Sequence, residues 1–289
     1  MIYIVTNHHG PSVDKFVHLQ SKYLQRYSES NYKVFCGISN FGHDPEKNSW
    51  NIKADPQYMG NYELISTDDI RLENQHHTKM NFLSKMIKDN HQISDEDLLV
   101  FLDGDAFPVS HWEKTIREAL QEHKVVCVYR TENLEPLVPD EQKPYPHLMF
   151  VAVKAKFWFE NEIIWEKSWC GNIEGPIGPP LKFWLEENGH TTYPLLRSNK
   201  VDVHPLFFGV YGDLIYHHGS SSGNANVYDS FDIWSRKGLN DDNAVCITYT
   251  DMDMRYPHIP YFNGELSNLV YKAISNDDDF IRNYFMGVK

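Results

Sequence analysis

The stretch Leu98–Val109, LLVFLDGDAFPV, constrains the fold more than any other part of the chain. It opens with an unbroken apolar run, which is typical of a strand buried on both faces in a parallel sheet covered by helices. The run leads directly into Asp103 and Asp105, with only Gly104 between them. Open α/β sheets bind their ligands beyond the carboxyl ends of such strands. The sequence therefore predicts a pocket here, with two carboxylates in it.

Two carboxylates at this spacing suit a divalent cation. Residues i and i+2 of an extended chain point the same way and lie roughly 6.5–7 Å apart, so Asp103 and Asp105 can converge on one ion. Without an ion, two like charges about 4 Å apart would repel by about 4 kcal/mol at an effective dielectric constant near 20. A cation that prefers oxygen ligands removes that repulsion. The alternative is an ordinary turn, because Asp-Gly-Asp is also favourable turn chemistry.

Composition and charge limit the class of protein. The 289 residues are 41% hydrophobic and 14% aromatic, enough for a packed core. The net charge of −13 argues against nonspecific nucleic-acid binding, which needs a basic surface. No apolar run reaches the roughly 18 residues of a membrane span, and a strand predicted from Ile2 onward leaves no room for a signal peptide. The cysteines are widely spaced and mostly in apolar runs, as expected for free thiols. We therefore expect a cytoplasmic protein.

The order of predicted elements indicates the fold class. Strands and helices alternate over residues 1–130, which predicts a doubly wound α/β fold with a mostly parallel sheet flanked by helices. Further strands are predicted at Leu148–Val153 and over Val210–His218, in a second half rich in aromatic residues, glycine and proline. The chain shows no internal repeat and no clear linker. We therefore expect a single domain, residues 1–289.

Four motifs together resemble the GT-A class of glycosyltransferases. They are the first strand with its polar exit, IYIVTN; Asp103-Gly104-Asp105; PHLMFVAVKAKFW at Pro146–Trp158; and HPLFFGVYGDLIYHHG at His204–Gly219, which ends in a histidine pair. The resemblance covers most of the first 220 residues. It implies a GT-A, Rossmann-like fold with residues 1–130 as the nucleotide-sugar half. Residues 131–220 would form the acceptor side and complete the metal site, and 221–289 would be a C-terminal extension.

The resemblance implies roles for the acidic pair and for one histidine. In this class the second aspartate usually contacts the metal directly, which assigns that role to Asp105. The first usually acts through the metal, its waters or the ribose, which assigns those contacts to Asp103. A late histidine often completes the ligand set, and His218 is the residue we predict. Adjacent residues of a regular strand face opposite ways, so His217 and His218 cannot both reach one ion. A nitrogen ligand shifts the preference from Mg²⁺ towards Mn²⁺.

The resemblance also suggests residues that contact the donor and the acceptor. Thr6 and Asn7 lie where the base would bind, and Lys79 precedes the acidic strand on a helix from which it could meet the base, ribose or phosphate. An inverting reaction needs a carboxylate to accept the proton of the acceptor hydroxyl. Glu174, in the loop NIEGPIGPP, is the candidate for this base, although the loop departs from the Asp-x-Gly pattern that is common there. A solvated loop carboxylate is the alternative.

These observations predict a metal-dependent glycosyltransferase of the hexosyltransferase class. Its donor would be a nucleoside diphosphate sugar, with UDP favoured, and its acceptor a glycan or glycoconjugate. Two other classes stay open at this point. A sugar nucleotidyltransferase also uses strand-end carboxylates and Mg²⁺, but the polar turn NHHGPS is a poor version of its glycine-rich loop. A non-catalytic nucleotide-sugar-binding module would bind the donor without releasing sugar.

Overall fold

We analysed a computed structural model of the chain. It describes residues 1–10, 12–44, 49–68, 75–129, 145–170, 173–174, 177–201, 207–219 and 264–288. The strands are β1 (Ile2–His9), β2 (Tyr32–Ser39), β3 (His43–Asp44), β4 (Ser49–Trp50), β5 (Tyr62–Ser66), β6 (Leu98–Leu102), β7 (Ala106–Pro108), β8 (Val125–Tyr129), β9 (Pro146–Lys154), β10 (Trp169–Cys170), β11 (Ile173–Glu174), β12 (Thr192–Leu195), β13 (Gly209–Tyr211) and β14 (Ile215–His217). The helices are α1 (Ser12–Tyr27), α2 (His76–Asn90), α3 (Glu113–Glu122), α4 (Ala155–Glu160), α5 (Pro179–Glu187) and α6 (Gly264–Asn276), with a short 3₁₀ turn at Pro56–Tyr58 and a π-helical turn at Ile281–Phe285.

A seven-stranded sheet forms the centre of the described structure, in the order β12-β8-β9-β6-β1-β2-β5. All of its strands run in one direction except β9, which is antiparallel to both neighbours. The predicted α/β class with a mostly parallel sheet is therefore confirmed. Because the parallel strands share one direction, their carboxyl ends lie along one edge, and that edge is where a ligand site is expected.

Both faces of this sheet are covered, which explains the unbroken apolar run of β6. Leu98, Val100 and Leu102 pack into a core that includes residues of α1, α3 and α6. Leu99 and Phe101 point to the other face and pack with residues of α2, α4 and α5. Because alternate residues of β6 face different cores, every position of the strand is apolar. Among the described helices we find none whose length and apolar character suit a membrane span.

A smaller antiparallel sheet, β13-β14-β7, lies directly after the acidic motif. The sequence pattern predicted one strand over Val210–His218, but the structure shows a hairpin there. The chain reverses between β13 and β14 at Gly212 and Asp213, which have positive φ angles of 60° and 56°. This reversal allows β14 to pair with β7, with His217 opposite Ala106.

Candidate metal centre

Three side chains with metal-binding groups meet just beyond the carboxyl end of β6. They belong to Asp103, Asp105 and His217, and one potential ligand atom from each lies within 4.8 Å of the others. His217 Nε2 is 3.2 Å from Asp105 Oδ1 and 3.7 Å from Asp103 Oδ2. Asp105 and His217 are buried, whereas Asp103 is partly exposed. The cluster is therefore open to solvent on the Asp103 side.

A tight turn brings the two carboxylates together. Ala106 N donates to Asp103 O at 3.0 Å, so residues 103–106 form a turn rather than the extended segment that we predicted. The turn and metal interpretations of Asp-Gly-Asp are thus compatible. A Cβ atom on Gly104 would lie 2.6 Å from the main-chain oxygen of Asn7, so only glycine allows this close approach to β1.

The prediction that His218 joins the carboxylates needs correction, because His217 is the residue that reaches them. The two neighbours face opposite ways along β14, as a regular strand requires. His218 is fully buried, with Nε2 2.9 Å from Ser267 Oγ and Nδ1 3.1 Å from Tyr216 OH. Its ring also packs against Phe16, at 5.0 Å between centroids. His218 therefore connects β14 to α1 and α6 instead of facing the cluster.

Burial and charge act in opposite directions on these histidines. Burial alone would lower the pKa of His217, but the carboxylates of Asp105 and Asp103 outweigh it and raise this pKa to about 9. Burial lowers the pKa of His218 to about 3. Without a cation, His217 is therefore protonated at neutral pH and balances part of the acidic charge, while His218 is neutral.

The donor set fits a divalent cation. Two carboxylates and one imidazole nitrogen are ligands that Mn²⁺ and Mg²⁺ accept, with the nitrogen favouring Mn²⁺. The second ring nitrogen of His217, Nδ1, is buried and has no hydrogen-bond partner among the described residues. The carboxylates therefore contact only Nε2 of the protonated ring, and Nε2 is the atom at which a cation would replace the proton.

Thr6 and Asn7 lie at the carboxyl end of β1, beside the acidic turn. Asn7 Oδ1 accepts a hydrogen bond of 3.1 Å from Thr67 Oγ1. The hydroxyl of Thr6 is buried and has no partner among the described residues. The close approach of Gly104 to Asn7 O places this strand end against the carboxylates.

Lys79 of α2, predicted as a residue that could meet the base, ribose or phosphate, is buried. Its Nζ donates to Ser39 Oγ at 2.9 Å, and the same hydroxyl lies 3.1 Å from His9 Nδ1. Burial lowers the pKa of Lys79. The ammonium group therefore belongs to a polar network at the carboxyl ends of β1 and β2.

His76 was not predicted as part of the site. Its Nε2 lies 3.7 Å from Asp103 Oδ1, so Asp103 stands between His76 and His217. Residues three apart on a helix share a face, and His76 precedes Lys79 by three positions at the start of α2. This spacing of His76 and Lys79 is the feature of the sequence from which His76 could have been predicted.

Glu174 lies in the short strand β11. Its backbone pairs with Trp169 across the β10–β11 ladder, and the position of its side chain lies outside what the structure describes. Its role as the base stays a prediction.

Fold and site define a mixed α/β protein with a candidate divalent-metal centre at the carboxyl edge of its sheet. No family model matches the sequence, and no curated protein matches it. Among solved structures, the chain is similar to the galactosyltransferase LgtC in complex with donor and acceptor sugar analogues, at 13% identity and a TM-score of 0.38, over 55% of this chain and 59% of LgtC. The chain thus covers less than two thirds of that protein.

Two further solved structures are similar over more of the chain. One is Staphylococcus aureus TarS 1–349 in complex with UDP-GlcNAc, at 11% identity and a TM-score of 0.40, covering 89% of this chain and 73% of that one. The other is the mannosyltransferase PcManGT from Pyrobaculum calidifontis in complex with GDP-Man and Mn²⁺, at 12% identity and a TM-score of 0.45, covering 94% and 73%. At these values, function has to be inferred from the site itself.

Proposed function

We propose that this protein is a metal-dependent glycosyltransferase that moves a sugar from a nucleoside diphosphate sugar to a carbohydrate or glycoconjugate acceptor. The observation that carries the proposal is the cluster of Asp103, Asp105 and His217 beyond the end of β6. It combines the acidic motif, the strand end and the late histidine that the sequence resemblance joined, with His217 in place of His218.

In this proposal Asp103, Asp105 and His217 hold Mn²⁺ or Mg²⁺. A bound divalent cation would supply Lewis-acid stabilisation of the diphosphate leaving group. Asp105 and His217 are buried and fixed by β7 and β14, so they suit direct ligation. Asp103 is partly exposed and suits contact with the cation from the solvent side or with the ribose.

The nucleotide would lie along the carboxyl ends of β1 and β2. Thr6 offers a hydroxyl that lacks a partner among the described residues, and Asn7 lies against the acidic turn. Lys79 would act from within its network with Ser39, by supplying positive charge behind the site rather than by direct contact. We favour a UDP-hexose or UDP-deoxyhexose donor, and Glu174 as the base that accepts the acceptor proton.

We further propose a cytoplasmic, one-domain enzyme. Cys36 and Cys127 are buried free thiols, which fits a reducing compartment. In this scheme residues 1–130 bind the donor, 131–220 contribute His217 and the acceptor side, and 221–289 form a C-terminal extension. The described part of this extension contacts α1 through Asn268 of α6 and through Asp278 and Asp279 just after that helix.

The test is donor binding and turnover with a ligand variant. UDP-, GDP- and dTDP-sugars are screened with Mn²⁺ by thermal shift, where a hundredfold excess over Kd stabilises the folded state by about 2.7 kcal/mol. Sugar release from the best donor is then measured for wild type and for Asp105→Asn. We expect the variant to lose more than about 100-fold in metal-dependent release, because a ligand contributes more than the 10–100-fold of an outer-shell partner.

Asp95→Asn is the matched control, because Asp95 is an exposed aspartate in the turn before β6, at the opposite end of that strand. It should release sugar like wild type. Donor binding without any release would favour the non-catalytic module, and pyrophosphate-dependent chemistry would favour the nucleotidyltransferase. Full activity of Asp105→Asn would show that this cluster does not hold the metal on which sugar release depends.

A further inference from the structure

Gln20 is a buried side chain of α1 that holds the backbone of the acidic turn. Its Nε2 donates to Asp103 O at 3.0 Å and to Ala106 O at 2.9 Å. These carbonyls belong to the first and last residues of the turn that carries Asp103 and Asp105. Gln20 itself is 0% exposed. One amide group thus uses both of its N–H donors on the two ends of one turn.

The opposite end of the Gln20 side chain is also held. Tyr62 OH donates to Gln20 Oε1 at 3.3 Å, and His8 Nε2 lies 3.3 Å from the same oxygen. A flipped amide would place Oε1 against two carbonyl oxygens, so this set of partners fixes its orientation. Gln20 therefore links the acidic turn to His8, near the carboxyl end of β1, and to Tyr62, at the start of β5.

The turn is held on its other side by β14. His218 N donates to Asp105 O at 3.1 Å, and Ala106 N closes the turn on Asp103 O at 3.0 Å. Hydrogen bonds from α1 and from the residue after β14 thus hold three carbonyl groups of the segment that presents the carboxylates, those of Asp103, Asp105 and Ala106. The directions in which Asp103 and Asp105 project follow from the angle of this backbone.

We propose that Gln20 is a positioning residue that sets the affinity of the metal centre without touching the cation. The inference rests on the proposed function, because it concerns the same ligands. Glutamine suits the role since it offers two donors without charge. Glutamate would turn acceptor oxygens towards the two carbonyls, and methionine would fill the space but leave both carbonyls without this donor.

The test is Mn²⁺ affinity of the full chain, measured by electron paramagnetic resonance titration of free Mn²⁺. Gln20→Met and Gln20→Glu keep the length of the side chain and remove its donors. We expect each to weaken Mn²⁺ binding by about 10- to 100-fold, the range seen when a partner behind a metal ligand is removed.

Leu24→Ala is the matched control for general damage to α1. Leu24 is buried one turn further along the same helix. This variant should lose thermal stability and keep Mn²⁺ affinity within about twofold, since it makes no hydrogen bond to the turn. Wild-type affinity in both Gln20 variants, or an equal loss in Leu24→Ala, would overturn the inference.

A milder variant decides the question if the Gln20 variants do not fold. Tyr62→Phe removes only the hydroxyl that holds Gln20 Oε1. A loss of a few-fold in Mn²⁺ affinity supports the positioning role, and unchanged affinity overturns it. The proposed function fails separately, if wild type does not bind Mn²⁺ or if Asp105→Asn binds it equally well. Binding that depends on Asp105 but not on Gln20 refutes this inference alone.

Discussion

At the scale of single residues, His217 holds a proton at the place proposed for the cation. Its pKa is raised to about 9 because the carboxylates of Asp105 and Asp103 outweigh the effect of burial. A cation can bind Nε2 only after that proton leaves. We therefore predict that the apparent Mn²⁺ affinity rises about tenfold per pH unit up to about pH 9 and then levels off, as one released proton requires.

Mn²⁺ titrations between pH 6.5 and 8.5 measure this slope. His217→Asn removes the titrating ring, so its weaker binding should depend much less on pH in the same interval. An affinity of wild type that stays constant over this range would contradict a role for His217 as a ligand.

The sequence allowed some of these residues to be identified and not others. Asp103 and Asp105 could be predicted because an apolar strand ends directly before them. The choice between His217 and His218 depends on which face of β14 meets β7, and that is set by pairing between segments about a hundred residues apart. Gln20 carries no sequence signal, because a glutamine within an amphipathic helix is typical of a surface position.

At the scale of elements, apolar patterning predicts strands but not their direction. Leu148–Val153 was predicted as a buried strand, and β9 covers it. Its antiparallel orientation between β6 and β8 follows from the path of the chain between strands, which the pattern does not encode. The same holds for the hairpin of β13 and β14, where Gly212 and Asp213 reverse a segment that is apolar on both sides of the turn.

The C-terminal helix α6 is joined to the region of the site by one buried hydrogen bond. Ser267 Oγ lies 2.9 Å from Nε2 of His218, the neighbour of His217. Because both groups are buried, removing the hydroxyl leaves a ring nitrogen unsatisfied, at a cost of about 1–3 kcal/mol. We predict that Ser267→Ala lowers the free energy of unfolding by this amount, measured by urea denaturation.

Ser275→Ala is the control for this prediction. Ser275 lies in the same helix, and its hydroxyl bonds only locally to Tyr271 O at 2.9 Å. Its removal should change stability by less than about 0.5 kcal/mol, as for substitutions away from buried networks. Equal effects of the two substitutions would show that the contact of Ser267 with His218 contributes nothing specific.

At the scale of the whole molecule, the negative charge bears on how the proposed function would work. The chain carries a net charge of −13, and the candidate site itself contains two carboxylates. A nucleoside diphosphate is itself anionic, so it would meet negative charge both on the protein as a whole and at the site. In the proposed function, a cation at Asp103, Asp105 and His217 would neutralise this charge locally and so allow an acidic protein to bind an anionic donor.

Buried neutral histidines give the folded state a specific sensitivity to acid. Burial lowers the pKa of His8 to about 4 and that of His218 to about 3. Between these values and the ordinary value of 6.5, the unfolded chain binds more protons than the folded one, so the free energy of unfolding decreases as the pH is lowered. The contribution is complete above pH 6.5 and is lost as the pH falls towards 4. We expect about 3 kcal/mol from each histidine over this interval, at about 1.4 kcal/mol per pKa unit.

Urea denaturation between pH 7 and pH 4.5 measures this loss. In this pH range the contribution of His8 and His218 can be distinguished from that of other titrating groups. His217 has the opposite sign: its pKa of about 9 adds stability that is complete below pH 6.5 and disappears only as the pH rises through 9. Burial would raise the pKa of Asp97, but hydrogen bonds from the N-terminal ammonium group and Ser94 lower it, so its stabilising contribution is lost only when the pH falls below the ordinary carboxyl range. His8→Gln should therefore reduce the dependence of the free energy of unfolding on pH in the acid interval. A wild-type protein equally stable at pH 7 and pH 4.5 would mean that His8 and His218 can take up protons without leaving the folded core.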